Sequence, residues 1–287
     1  MLPNRPWPIL LDRVRRAETM GFGCVWFPDH FVNGLRVQDD WFEAWTLLGA
    51  LATSTDRIRL GTLVSSITLR NPSLLARAAT TLDHLSGGRI ELGIGAAGSS
   101  TDHAMTGIPR RSGQERAERL EETVSIVRDL LTDGRTEADG PHYPVAGAEL
   151  RPAPVQRPRV PITVGALSRR SIRLAARLGD AWNTQPMASG GRFGDVLNGE
   201  EELSVIRERM RVADAACEEA GRDPASLRRS YLLLGTYRRG PGAPDDFLRR
   251  AETLAEVGIG ELIVYWPDVE DREADLVRIG EETLPRL

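Results

Sequence analysis

The chain of 287 residues contains no lysine, so all 37 of its Lys and Arg residues are arginine. We read this as the coding bias of a GC-rich genome and not as a binding signal. Cysteine is nearly absent as well. Cys24 and Cys217 stand alone, without the paired spacings of metal or redox sites, and are expected to be buried thiols in a reducing cytosol. No apolar run approaches the ~18 residues that cross a bilayer, and the opening "MLPNRPWPILLDRVRR" lacks the apolar core of a signal peptide. A net charge of −4 argues against nucleic acid or an anionic membrane as the main partner. The remainder, 41% hydrophobic and 27% charged, is the composition of a soluble globular protein, here expected in the cytoplasm.

Short apolar runs alternate with amphipathic stretches of helical period. Strands are predicted at 24–27, 58–64, 90–95, 162–165, 181–184, 229–235 and 261–266. Between and around them, helices are predicted at 8–20, 41–52, 73–85, 114–131, 168–178, 201–220, 245–257 and 272–283. Strands that are apolar throughout and alternate with helices imply a parallel sheet buried on both faces. A single (β/α)₈ barrel spanning 1–287 accounts for that order, and in such barrels the chemistry sits at the C-terminal ends of the strands. The Pro- and Gly-rich stretch 133–160 reads as an excursion, with a small hairpin.

The run "ELGIGAAGSS" spells Gly93-x-Gly95-x-x-Gly98, the outline of a dinucleotide-binding turn. Its context fails that reading. "SSTDHAMTGIPRRSG" follows as a polar, broken stretch with no helical stripe, and Glu118 and Glu121 fall inside a predicted helix. We therefore read the glycines as letting the strand's backbone approach a ligand closely. Gly61, Ser65 and Ser66 make the neighbouring strand mouth narrow and polar. "VWFPDHF" places Asp29 and His30 at another strand end, where imidazole can exchange protons near neutrality. Asp29 is read either as orienting that ring or as binding a ring nitrogen of a ligand. Ser168 suits a helix N-cap after "PITVG", a local anion site, with Arg116 a charged partner. His103, beside Asp102, is a second candidate for substrate contact; His84 is expected to be structural, and His142 lies in the excursion.

The blocks "RAETMGFGCVWFPDH", "RIRLGTLVSSITLRNPSLLARAATTLDHLSGGRIELGIG", "ERAERLEETVSIVRDLL" and "VPITVGALSRRSIRLAARLGDAWN" resemble the bacterial luciferase-like oxidoreductases. The resemblance covers most of 11–185. It implies a TIM-like barrel, a homodimer or larger assembly, and reduced FMN or the 5-deazaflavin coenzyme F420 at the strand ends. It further implies that Asp29 and His30 are an acid–base pair and that Leu63–Val64 is a non-proline cis peptide backing the cofactor ring. Ser65, Gly95, Ala96, Ala97 and Gly98 then border the cofactor, and Gly165, Ala166, Leu167, Ser168 and Arg116 its phosphate. Two departures stand out. Gly98 occupies the place of a catalytic glutamate in deazaflavin sugar-phosphate dehydrogenases, and the phosphate loop reads Gly-Ala instead of Gly-Gly.

Two enzyme readings stay open. One is hydride transfer between coenzyme F420 and a small organic substrate; the other is an FMN-dependent monooxygenase using O₂, supplied by a flavin or F420 reductase. A non-catalytic flavin-binding relative is a third. Substrate choice is expected in the loops 31–40, 99–113 and 186–200. Met1–Asn4 is too short for the barrel's first strand, so the chain is expected to begin inside or just after it. That leaves edges at 24–27 and 261–266.

Overall fold

The computed structural model describes residues 1–34, 36–189, 196–236, 240–268 and 272–286. Parts of two loops read as determining specificity, residues 35 and 190–195, lie outside the described residues. The chain separates into two compact units: Leu2–Arg16 with Gly23–Thr163, and Met1 and Ala17–Phe22 with Val164–Leu287.

The first unit begins with α1 (Trp7–Thr19), of which Ala17–Thr19 belong to the second, and continues through β1 (Cys24–Phe27), α2 (Ala44–Ala52), β2 (Arg59–Ser66), α3 (Pro72–Ser86) and β3 (Ile90–Gly95). Two further helices, α4 (Ser100–Thr106) and α5 (Gly113–Asp133), are followed by the hairpin β4 (Arg135–Ala138) and β5 (Val145–Glu149). β6 (Ile162–Gly165) is divided between the units. The second unit adds α6 (Arg169–Leu178), β7 (Ala181–Thr184), α7 (Gly199–Glu219), β8 (Arg228–Leu233), α8 (Pro244–Glu256), β9 (Glu261–Val264) and α9 (Glu273–Arg278). The main sheet has seven strands in the order β1-β2-β3-β6-β7-β8-β9. β1 pairs β2 in parallel, as do β2 with β3, β7 with β8 and β8 with β9. Seven strands, not eight, form this sheet among the described residues, and residues 1–5 contain none.

Local sequence explains the element ends. Asn71 accepts from the backbone N–H groups of Ser73 and Leu74, Pro72 opens α3, and Gly87 closes it at a φ of 64°. All six residues of β3 are buried, as expected of a strand covered on both faces. The N-terminal ends of the first unit's strands are locked by polar side chains. The Arg89 guanidinium donates to the carbonyls of Ala52, Thr55 and Ile58. Asp83, fully buried, accepts from the N–H groups of Val155 and Gln156 and from the Gln156 side chain. In the second unit, Glu202 accepts from Tyr231 and pairs with Arg250. Burial first, then the Glu202 carboxylate, pushes the Tyr231 phenol upward.

The glycine run has a cause within the sheet that the sequence did not reveal. A Cβ on Gly93 would lie 2.0 Å from the carbonyl oxygen of Thr62, and one on Gly95 would lie 2.2 Å from Val64 Cγ2. These glycines make room for the adjacent strand. Gly61 likewise yields its side-chain space to the Trp26 ring and the Glu91 carbonyl. Gly98 is different: its Cβ would meet only Arg116 Nη1, at 3.7 Å.

Overpacking a well-filled interior costs ~1–3 kcal/mol, and backbone atoms yield less readily than side chains. Gly93→Ala is expected to lose about 3 kcal/mol in urea unfolding, whereas the exposed Gly98→Ala should stay within about 0.5 kcal/mol. Equal losses would contradict the close-approach explanation.

Candidate active site

Three strand ends of the first unit meet through side chains. β1 leads into Asp29 and His30, β2 ends at Ser66, and β3 ends at Gly95. The Leu63–Val64 peptide is cis, as the resemblance implied, and the β2–β3 register shifts between Thr62 and Ser65. Leu63 and Val64 are half-buried, while Ser65 and Ser66 are buried. A chain of hydrogen bonds fixes this corner: the Trp45 indole donates to Ser65 Oγ (3.2 Å), Ser65 to Thr62 Oγ1 (2.9 Å), and Thr62 to the Gly93 carbonyl (3.0 Å).

Asp29 is buried and accepts from Arg70 Nε (3.0 Å), Arg70 Nη2 (2.7 Å) and the Ser66 N–H (3.3 Å). It ties the end of β1 to that of β2. It does not orient His30. That task falls to Asp102, whose Oδ2 lies 2.6 Å from His30 Nδ1 and whose Oδ1 accepts the Phe31 N–H at 3.2 Å. The His30 side chain is 43% exposed and that of Asp102 only 8%. Burial raises the Asp102 pKa, but the hydrogen bond and charge of His30 and the N–H groups of Phe31 and Val32 outweigh it, so the carboxyl sits below its usual range. The Trp41 indole holds the His30 carbonyl at 2.9 Å.

Asp102 belongs to α4, which the sequence reading left as broken polar chain. The signal was Ser99-x-x-Asp102: Ser99 Oγ caps the Asp102 N–H at 3.1 Å, and Gly107 follows the helix at a φ of 71°. His103 is buried, with Nδ1 on the Ile108 carbonyl (3.0 Å) and a buried Nε2 without a hydrogen-bond partner among the described residues. His84 bonds the Ala153 carbonyl through Nε2 (2.9 Å), a structural contact, and His142, between the two strands of the expected hairpin, packs against Glu118 of α5 (3.2 Å).

Arg116 meets the turn after β3. Its Nη1 donates to the Ala97 carbonyl at 2.7 Å, and Ala97 has a φ of 54°. Its Nε is buried and has no hydrogen-bond partner among the described residues. Burial and then the charge of Arg110 lower its pKa, the mark of an undercompensated cation. Ala96 and Ala97 are half-buried and Gly98 is exposed. This corner therefore fits an acidic ligand: a cation with an orphaned N–H stands beside an open backbone turn.

In the second unit, Gly165 and Leu167 are half-buried and Ala166 is buried. Ser168 caps α6 in a capping box with Ser171. The Ala166 N–H donates to Asn183 and that of Ser168 to Ser171 Oγ, so two donors of this loop are already engaged within the protein.

A model of the luciferase-like monooxygenase family matches residues 3–239. The chain belongs to that family. It is 30% identical over 310 residues to a protein of Beutenbergia cavernae named F420-dependent glucose-6-phosphate dehydrogenase, covering 94% of this chain and 90% of that one. It is 27% identical to the 5,10-methylenetetrahydromethanopterin reductase of Archaeoglobus fulgidus, covering 100% and 98%. Among solved structures, an F420-dependent secondary alcohol dehydrogenase shares the fold with a TM-score of 0.81 at 19% identity, covering 98% of this chain and 95% of that one.

Beside the Asp29–Arg70 pair, Glu43 caps α2 and contacts Arg70. Burial opposes its ionisation. Donation from Thr46, Arg70 and Trp45 prevails, setting its pKa at about 2 against an ordinary 4.5. A carboxylate depressed on folding stabilises the fold above its unfolded pKa, and the contribution fades as pH falls through the folded value. Between pH 4.5 and about 2, the melting temperature should therefore fall more steeply in the native chain than in Glu43→Gln. Parallel slopes in thermal unfolding would show that this cluster does not hold Glu43.

Proposed function

We propose that the chain is a coenzyme F420-dependent oxidoreductase acting on a small organic substrate, with His30 carrying the proton that accompanies hydride transfer. The observation that carries this reading is a half-exposed imidazole at the end of β1, beside the Leu63–Ser66 corner, in a family member with relatives named F420-dependent. When bound, the coenzyme supplies a hydride donor or acceptor at C5 of its deazaflavin ring. Leu63, Val64 and Ser65, with Gly95, Ala96, Ala97 and Gly98, are the candidates to hold that ring. Arg116 is the candidate for its phosphate, supported by its orphaned Nε. Gly165, Ala166, Leu167 and Ser168 are proposed for the same group on the strength of the capped start of α6. Of the two roles read for Asp29, contact with a ring nitrogen remains the proposed one.

The one-domain (β/α)₈ barrel, the homodimer and a reductase that supplies reduced cofactor belong to this reading. The barrel rests on strand–helix alternation and on the TM-score. A sugar phosphate is not the proposed substrate, because Gly98 offers no carboxylate where the resemblance expects one. An FMN-dependent monooxygenase is the competing outcome, and the names of the relatives do not favour it.

Fluorescence titration should show coenzyme F420 binding more tightly than FMN, and tight FMN binding with no F420 binding would overturn the proposal. His30→Ala should keep F420 affinity and melting temperature. Its turnover of small alcohols with oxidised F420 should fall roughly 10²–10⁴-fold, the usual worth of general acid–base help. Melting temperature and turnover falling together would make His30 a structural residue.

A further inference from the structure

The contact between His30 and Asp102 joins residues 72 positions apart, across two separate strand-end segments. Asp102 is held on every side. Its N–H is capped by Ser99, its carbonyl accepts Thr106 Oγ1 at 2.7 Å, and its Oδ1 takes the Phe31 N–H. The other oxygen, Oδ2, meets His30 Nδ1. His30 Nε2 makes no hydrogen bond among the described residues. The imidazole thus has one nitrogen anchored on a nearly buried carboxylate and the other available.

We infer that Asp102 is a positioning residue, which fixes His30 in the tautomer carrying its proton on Nδ1 and presents Nε2 as the proton-exchanging atom. An ionised carboxylate accepts hydrogen bonds and cannot donate one, so the neutral ring must place its hydrogen toward Asp102. That leaves the Nε2 lone pair to take a proton from a substrate. When Nε2 is protonated, the neighbouring carboxylate balances the ring's positive charge, and Asp102 itself stays ionised throughout. The proton moves only between substrate and Nε2. This division of labour is the one an aspartate performs for the histidine of a Ser-His-Asp triad. The catalytic consequence rests on the function proposed above; the tautomer does not.

Two measurements test it. In the full chain, labelled with ¹⁵N-histidine, without cofactor and at a pH where the ring is neutral, NMR reads the tautomer directly. The His30 signals are assigned by their loss in His30→Ala. The native chain should show the Nδ1–H form. Asp102→Asn, whose amide can donate to Nδ1, should shift the ring toward Nε2–H, and Asp102→Glu should retain Nδ1–H if the asparagine variant fails to fold. An Nε2–H form in the native chain, or one unchanged in Asp102→Asn, would overturn the inference. Turnover of propan-2-ol and cyclohexanol with F420 supplies the second test. Asp102→Asn should lower kcat about 10²-fold, within the range of general acid–base help, with KM and F420 affinity unchanged. Added to His30→Ala, the same substitution should change nothing further, because a residue that acts only through its partner has no effect once the partner is gone. Equal losses in both backgrounds would make Asp102 a structural staple. Absence of F420 binding in every variant would reject the proposed function while leaving the NMR result to decide the tautomer.

Discussion

The close approach of β2 and β3 sets the geometry of the corner beside Asp29 and His30. Thr62 O and the Val64 side chain fill the space that side chains at positions 93 and 95 would need. Only glycine admits them. With the strands this near, the register shifts between Thr62 and Ser65, and the Ser65 hydroxyl enters the chain from the Trp45 indole to the Gly93 carbonyl. One residue on, the Ser66 N–H reaches Asp29, and Arg70 clamps the same carboxylate with two donors. Asp29 precedes His30, so the position of the imidazole is tied through these bonds to the strand contact.

In the first unit the buried polar locks and the candidate site lie at opposite strand ends. At the N-terminal ends, Arg89, Asp83 and Gln156 satisfy buried backbone groups and leave few polar atoms for a ligand. At the C-terminal ends, His30 keeps an exposed face, Arg116 Nε has no partner among the described residues, and Gly98 is exposed. That polarity is the one known for parallel α/β barrels, whose catalytic groups ride on the loops after the strands. Asp29 is buried against the half-buried Arg70, so removing the arginine would leave a carboxylate uncompensated at the candidate-site end of the strands.

Much of this was legible in the sequence where the signal was local. The strands 24–27, 90–95, 162–165 and 181–184 match the structure residue for residue, because apolar runs there are bounded by turn residues or helix caps. The β2 strand extends two residues beyond its predicted end, through polar Ser65 and Ser66, which are buried by hydrogen bonding and not by hydrophobicity. α4 was missed because seven mostly polar residues carry no periodic stripe, although Ser99-x-x-Asp102 and Gly107 marked both of its ends. The strand-contact role of Gly93 and Gly95 was not legible, because what a Cβ would strike belongs to another strand. The partner of His30 was hidden in the same way. Asp29 is adjacent in sequence, while Asp102 is adjacent in space.

A structure of the protein bound to coenzyme F420 tests the central claim most directly. The account predicts the deazaflavin ring against Leu63–Ser65 and Gly95–Gly98, with its reacting face toward His30 Nε2 and an acidic group of the coenzyme on Arg116. A coenzyme bound away from His30, with Arg116 still unpartnered, would contradict it.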